Sequence, residues 1–166
     1  MMSKKIWGRV SSHGKPKLCI NKNNTCQKDN GDACESCALE LIGECMDCDS
    51  PLVNTNDSCP NNPGYDLECS NPKCPSVYQV KGYGTKNHSQ LTSDYILKQA
   101  GAYKTMLKTM TRYNLRYFIL FYDDNKRVCR SVLTGIVKPD DIVCRYGQNL
   151  AQCRIEFYNN YDVEYV

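Results

Sequence analysis

Nine of the twelve cysteines lie between residues 19 and 74, and their spacing restricts how the first half of the chain can fold. The spacings include two Cys-x2-Cys pairs and one Cys-x4-Cys loop, which are Cys34/Cys37, Cys45/Cys48 and Cys69/Cys74. A Cys-x2-Cys pair puts two thiolates on one turn, so that both can reach a tetrahedral zinc ion at about 2.3 Å. Free thiols at all nine positions are the alternative, but these paired spacings favour at least one zinc site.

The cysteines can be divided between zinc ions in more than one way. The partition that we prefer combines the second pair with the loop, as Cys45, Cys48, Cys69 and Cys74. A second zinc ion could use the four earlier cysteines, Cys19, Cys26, Cys34 and Cys37, although the last two could instead face a helical core. A closed four-thiolate site has no open coordination position, so we expect a role in folding and not in chemistry.

The N-terminal residues and the hydropathy of the chain favour an intracellular protein without a membrane segment. No apolar run is long enough to span a bilayer, and residues 1–12 lack the apolar core of a signal peptide. In a reducing compartment, cysteines are metal ligands or free thiols more often than disulfides. This expectation supports the zinc interpretation.

Charge is distributed unevenly behind a net value of +3. Residues 1–28 contain seven Lys or Arg and no acid, whereas residues 29–68 contain ten acids and no Lys or Arg. Residues 69–118 then contain eight basic residues and one acid. An acidic segment between two basic ones fits a cation site framed by a phosphate-binding surface, although such charge blocks can equally be solvated faces.

Residues that could bind a cation or take part in catalysis are concentrated between residues 63 and 81. Asp66 follows a Pro-Gly turn, and Val77–Lys81 alternates like a strand. If the two segments pair as a hairpin, Asp66, Gln79 and Lys81 converge at one end. Magnesium prefers oxygen ligands and is usually held by one or two carboxylates together with a substrate phosphate. The hairpin therefore predicts a site at which a divalent cation could hold a phosphodiester.

These residues also carry a resemblance to a known family. The strings GYD at 64–66 and YQVKG at 78–82 resemble the core motif of the PD-(D/E)XK nuclease superfamily, which includes restriction endonucleases, Holliday-junction resolvases and Mrr-like enzymes. Gln79 stands where most members have Asp or Glu, a QXK form that is familiar in the Mrr-like branch. The predicted order of helices and strands extends the resemblance to roughly residues 31–137. The alternative is a surface hairpin with a solvated Asp and Lys.

The resemblance implies a role for each motif residue. Asp66 would bind a catalytic magnesium ion, and the Gln79 amide oxygen and the Val80 carbonyl would complete the ligation. Lys81 would orient or deprotonate the attacking water. In the superfamily an N-terminal helix often lends a further acid, and Glu35 is in the matching position, with Glu40 as the second choice. A structural role for Glu35 in a capping box is the alternative.

Two helices and several strands are predicted from periodicity and end signals. The first helix would run from Gly31 to about Gly43 with Asp32 as its cap, and the second from Thr92 to about Tyr113 with Ser93 as its cap. Strands are predicted at Leu115–Tyr122, Arg127–Val137, Ile142–Arg145 and Cys153–Tyr158.

The order of these elements predicts one α/β domain with a restriction-endonuclease-like fold. Its central mixed sheet would be flanked by helices and would carry zinc-binding insertions. Residues 1–30 would form a basic N-terminal segment, which could be part of a zinc module. Residues 31–166 would form the nuclease-like domain, with a cysteine-rich insertion at about 44–75.

The predicted function is that of a magnesium-dependent DNA endonuclease, of the restriction type or similar to a junction resolvase. The resemblance further implies a homodimer, since cutting both strands of a duplex needs two sites. Two rival functions remain at this stage. One is a non-catalytic, zinc-containing nucleic-acid-binding protein, and the other is a cysteine-rich interaction protein whose basic stretches meet an acidic partner.

Overall fold

The computed structural model describes residues 27–55, 64–84, 93–95, 100–125, 127–144, 153–156 and 164–165. Among these residues, α1 spans Gln27–Ile42, α2 spans Ala100–Arg112, and a 3-10 turn covers Pro139–Asp141. The strands are β1 (Leu52–Asn54), β2 (Leu67–Cys69), β3 (Ser76–Gly84), β4 (Ser93–Tyr95), β5 (Asn114–Tyr122), β6 (Val128–Leu133), β7 (Ile142–Cys144), β8 (Cys153–Glu156) and β9 (Glu164–Tyr165).

The main sheet has six strands in the order β1-β2-β3-β5-β6-β9. Strands β3 and β5 are parallel, with α2 in the connection between them, and the other neighbours are antiparallel. A second, antiparallel sheet has the order β4-β8-β7. The predicted α/β class with a mixed central sheet is therefore confirmed at this coarse level.

Both faces of the main sheet are covered, and this explains the apolar sequence of β5. Phe118 and Leu120 point towards the core that includes α1, whereas Tyr117 and Ile119 point towards the core that includes Met110 of α2. A strand that is buried on both faces reads as a nearly continuous hydrophobic run. The strand predicted at Leu115–Tyr122 is observed with these characteristics.

Helix α1 ends where the sequence predicted and begins earlier. Gly43 follows the last turn with φ of 64°, a left-handed conformation that suits glycine, and its N–H donates to Leu39 O at 2.9 Å. The helix begins at Gln27, so Asp32 lies inside it. The prediction that Asp32 caps the helix is wrong, and with it the capping-box role of Glu35.

Helix α2 is shorter than predicted because its expected first turn belongs to a strand. Ser93, the predicted cap, lies in β4, which pairs with β8 so that Tyr95 is opposite Arg154. Helical periodicity is a local signal, and a strand partner about sixty residues away outweighs it here. The prediction of a helix from Thr92 with Ser93 as its cap is therefore wrong for Ser93–Tyr95.

Some predictions concern parts of the chain that the structure does not describe. The basic segment up to residue 26, with Cys19 and Cys26, lies outside the described residues. Among the described helices, neither α1 nor α2 has the length and apolar character needed to cross a bilayer.

Candidate metal sites on the β2–β3 hairpin

Asp66 lies directly before β2, at the point where that strand begins to pair with β3. Leu67 is opposite Tyr78 in this antiparallel pair, and the Asp66 N–H donates to Tyr78 O at 2.8 Å. Strand β3 continues to Gly84, beyond the last residue that β2 pairs. The Asp66 carboxylate therefore lies beside the part of β3 that carries the QXK motif.

The Asp66 carboxylate binds two groups of that motif. Its Oδ2 accepts hydrogen bonds from Gln79 Nε2 at 2.7 Å and from the Val80 N–H at 2.8 Å. Because the N–H and C=O of one strand residue point to the same edge, the Val80 carbonyl also faces the Asp66 side. The structure thus brings these three predicted residues together. Gln79 presents its amide N–H to Asp66, where the resemblance had implied an oxygen ligand for a metal.

Helix α1 brings a second carboxyl group to the same place. The Glu35 side chain is close enough to Asp66 to lower the pKa of its carboxyl group, and Glu35 Oε2 accepts a hydrogen bond from Asn54 Nδ2 at 3.3 Å. The helix can approach β3 closely because Gly82 has no side chain: a Cβ there would overlap Cys34 Sγ. Cys34 is the neighbour of Glu35, so this packing determines where the second carboxyl group lies.

The environment of Asp66 disfavours a negative charge in the absence of a cation. Burial raises the pKa of Asp66, and the Val80 N–H, the charge of Lys81 and the Glu35 side chain oppose this rise. A cation beside this carboxyl group would offset the cost of burying its charge. Lys81 is near enough to act electrostatically on Asp66. Glu35 and Lys81 thus both influence the Asp66 carboxyl group, and Gln79 binds it directly.

The second candidate site is a group of four cysteines at the other end of the hairpin, and they are those favoured by the spacing. The Sγ atoms of Cys45, Cys48, Cys69 and Cys74 all lie within 4.8 Å of one another. Two of the separations are 3.3 Å, for Cys48 and Cys69, and 3.7 Å, for Cys45 and Cys74. A disulfide would require about 2.05 Å, whereas sulfurs bound tetrahedrally at about 2.3 Å are about 3.8 Å apart. These four thiols could hold a metal ion.

Backbone N–H groups point at the sulfur atoms. The N–H groups of Asp47 and Cys48 donate to Cys45 Sγ, and the Asn71 N–H donates to Cys69 Sγ at 3.4 Å. Asp49, directly after Cys48, has a φ of 61°, so the chain turns back sharply there. Such donors stabilise the negative charge of a thiolate. Hydrogen-bond donors around metal-bound cysteines have the same effect.

The thiols of this group differ in their pKa values. Hydrogen bonds from Ser50 lower the pKa of Cys48 to about 6, whereas burial raises the pKa of Cys69 to about 12. A metal ion bound by these four sulfurs would favour the thiolate form of each of them. The donor set fits a metal that prefers sulfur.

Comparisons with known proteins add no family to this description. No family model matches the chain. No curated protein matches it either. The likeness to the PD-(D/E)XK nucleases therefore remains a prediction, and it rests on the residues around Asp66.

Sequence reasoning missed the ion pair that joins the cysteine group to the sheet. Arg116 is buried in β5, and its guanidinium binds both carboxylate oxygens of Asp47 at 2.8 and 2.9 Å. Ser76 Oγ donates to the same carboxylate. The available signal was a single arginine inside the apolar run LRYFILFY, since a buried charge of this kind needs a partner.

The remaining pair of cysteines on α1 lies in the core. Cys34 and Cys37 are buried among apolar side chains, and burial raises the pKa of Cys34 to about 11. Their predicted zinc partners, Cys19 and Cys26, are outside the described residues. The second zinc site stays a prediction.

Proposed function

We propose that this protein is a magnesium-dependent DNA endonuclease whose centre is the edge of β3 beside Asp66. The observation that carries the proposal is the pair of hydrogen bonds that join the Asp66 carboxylate to Gln79 and to the Val80 N–H, with Glu35 and Lys81 close enough to lower the pKa of Asp66. A pair of carboxyl groups, a strand carbonyl and an ammonium group form the donor set that a hard cation and a phosphodiester require.

Each residue of the proposed centre would have a separate role in hydrolysis. Asp66, Glu35 and the Val80 carbonyl would hold the cation, and Gln79 would orient Asp66 through the observed N–H contact. Magnesium, when bound, supplies a Lewis acid that lowers the pKa of a coordinated water. Lys81 would accept the proton of the attacking water or hold that water in line, and its charge would offset the charge that develops on the phosphate.

The four-cysteine group would hold zinc in a structural role. Four thiolates leave zinc without an open position, so no substrate could coordinate there. Cys69 ends β2 and Cys74 lies two residues before β3, so a metal bound by both would clamp the hairpin that carries Asp66 and Gln79. We also propose a homodimer, because cleavage of both DNA strands needs two centres.

A plasmid-nicking assay with magnesium tests the catalytic proposal. We expect cleavage by the wild-type protein and a loss of about 100-fold or more in Asp66→Ala and in Lys81→Ala. Glu35→Gln should lower the rate as well, because it removes a cation ligand. Glu40→Gln is the matched control, since Glu40 is exposed on the same helix, and it should cleave like the wild type.

Other results would favour the rival functions. Cleavage that persists in Asp66→Ala, or that does not need a divalent cation, would contradict the proposed centre. Binding of DNA without cleavage would support a non-catalytic nucleic-acid-binding protein. If the wild-type protein neither binds nor cleaves DNA, an interaction protein would be the remaining function.

A further inference from the structure

Helix α2 carries an exposed row of positive side chains that the proposed centre does not use. Lys104, Lys108 and Arg112 are spaced by four residues and are all exposed. At 1.5 Å per residue they extend over about 12 Å along one side of the helix. We call these three residues the basic ridge.

No negative charge balances the basic ridge on its own helix. The sequence of α2, AGAYKTMLKTMTR, contains no Asp or Glu. Among the described residues, no carboxylate pairs with any ridge side chain, whereas the buried Arg116 is paired with Asp47. Like charges spaced by four residues repel each other on a helix, and binding of a polyanion relieves this repulsion.

The ridge lies next to the face of α2 that supports the Asp66 turn. A Cβ at Gly64, where φ is 109°, would overlap Thr109 Oγ1 and lie 3.4 Å from Thr105 Cγ2, so this turn is packed directly on the helix. The rings of Tyr65 and Tyr113 also meet edge to face, with centroids 5.3 Å apart. Residues 104 and 108 each precede one of the two threonines, so the ridge is displaced by about 100° around the helix from this contact.

The helix that carries the ridge therefore also contacts the turn that leads to Asp66. The turn that begins at Gly64 leads to Asp66 two residues later, and it touches the helix that carries the ridge. A point on the side of a helix lies within one helix diameter, about 10–12 Å, of whatever packs on the helix at the same level. Duplex DNA has one phosphate charge per about 1.7 Å of axis, so a duplex held at Asp66 would place several phosphates within reach.

We propose that the basic ridge binds the phosphate backbone of duplex DNA beside the phosphodiester that is cleaved. This inference rests on the proposed function, because it identifies the surface that aligns the substrate of that centre. The ridge would contribute affinity without reading the base sequence, since contacts to phosphates position a protein on DNA and do not specify a site.

Binding measured over a range of salt concentrations tests the ridge. Fluorescence anisotropy with a labelled 20-base-pair duplex, without added magnesium so that no cleavage occurs, would compare the wild type with Lys104→Gln/Lys108→Gln and with the triple variant including Arg112→Gln. Each lost phosphate contact should reduce the slope of log Kd against log salt by about 0.9. We therefore expect a reduction of about 2 to 3 and at least a tenfold weaker Kd at low salt.

The matched control removes two exposed positive charges elsewhere. Lys73→Gln/Arg127→Gln changes the net charge as much as Lys104→Gln/Lys108→Gln does, but Lys73 is in the cysteine loop and Arg127 is just before β6. We expect its slope to equal that of the wild type. An unchanged slope in the ridge variants, an equal reduction in the control, or no binding of duplex by the wild type would overturn the inference.

A second substrate separates this inference from the proposed function. Bis(p-nitrophenyl) phosphate is a phosphodiester too small to reach the ridge, so the triple variant should hydrolyse it as the wild type does while it cleaves duplex DNA more slowly. If the wild type hydrolyses neither substrate but the salt slope still falls in the ridge variants, the nuclease proposal fails and the ridge remains a DNA-binding surface. Equal losses on both substrates would overturn the ridge as an alignment surface.

Discussion

At Gly82, the missing side chain decides how closely α1 approaches β3. A Cβ at this position would overlap Cys34 Sγ, and Cys34 is next to Glu35, which contacts Asp66. One small residue on the strand thus controls the position of a carboxyl group on the helix. Displacements of about 1 Å in a catalytic site can reduce rates by about 100-fold.

We expect Gly82→Ala to reduce magnesium-dependent cleavage by about 10-fold to 100-fold, because α1 and Glu35 would move away from Asp66. Adding Cys34→Ala should restore much of the rate, since removal of the sulfur makes room for the new methyl group. Rates and magnesium affinities of the single and double variants would be measured with the nicking assay.

Gly84→Ala is the control for this pair, because the nearest atom to its added Cβ, Tyr122 Cε2, is at an ordinary contact distance of 3.8 Å. It should leave cleavage unchanged. A failure of Cys34→Ala to improve Gly82→Ala would show that helix approach is not the cause of the loss.

Among the elements, the β2–β3 hairpin has one proposed metal site at its turn end and another at its open end. The cysteines that end β2 and precede β3 belong to the thiol group, and Asp66 and the QXK residues occupy the opposite end. Strand β2 is only three residues long, so its own hydrogen bonds hold the register weakly. A metal bound by Cys69 and Cys74 would stabilise the pairing on which the position of Asp66 depends.

We expect metal analysis to find at least one zinc per chain, and Cys69→Ser/Cys74→Ser to lose the zinc ion held by this group. Loss of a structural zinc should lower the unfolding midpoint by about 10 °C or more and should also reduce cleavage, although neither cysteine touches Asp66. Cys34→Ser is the control, since Cys34 lies in the α1 core outside the group, and it should retain the zinc of the group. A wild-type protein without zinc would refute the structural metal.

For the whole molecule, the ion pair between Asp47 and Arg116 joins parts of the chain that are 69 residues apart. Asp47 lies in the turn between Cys45 and Cys48, and Arg116 is buried in the centre of the main sheet. The bidentate geometry leaves little freedom in how the cysteine segment docks on the sheet. Removing one partner of such a pair leaves an uncompensated buried charge.

We expect Asp47→Ala to reduce the free energy of unfolding by about 3 kcal/mol, because Arg116 would stay buried without its carboxylate. Zinc content should be unaffected, since only the backbone N–H of Asp47 contacts a cysteine sulfur. Urea unfolding and metal analysis would measure both effects. Asp124→Ala, at an exposed turn position, should change stability by less than about 0.5 kcal/mol, and an equal loss in the two variants would contradict this role of the ion pair.

The sequence by itself was enough to indicate which four cysteines would lie together, where α1 ends and that β5 is buried. These features depend on local order: the reach of a Cys-x2-Cys turn, a glycine after the last helical turn, and a run of apolar residues long enough for a strand. The contact of Asp66 with Gln79 also followed from local order, since antiparallel pairing of Leu67 with Tyr78 places Asp66 beside Gln79.

Only the tertiary structure decided that Glu35 meets Asp66 instead of capping its helix, that Ser93 belongs to a strand, and that Arg116 pairs with Asp47. Each of these contacts joins segments that are far apart in the chain, so their residues have no spacing from which the contact could be read. The packing of α1 on Gly82 and the register of the sheet determine them, because only these bring the side chains within hydrogen-bond distance.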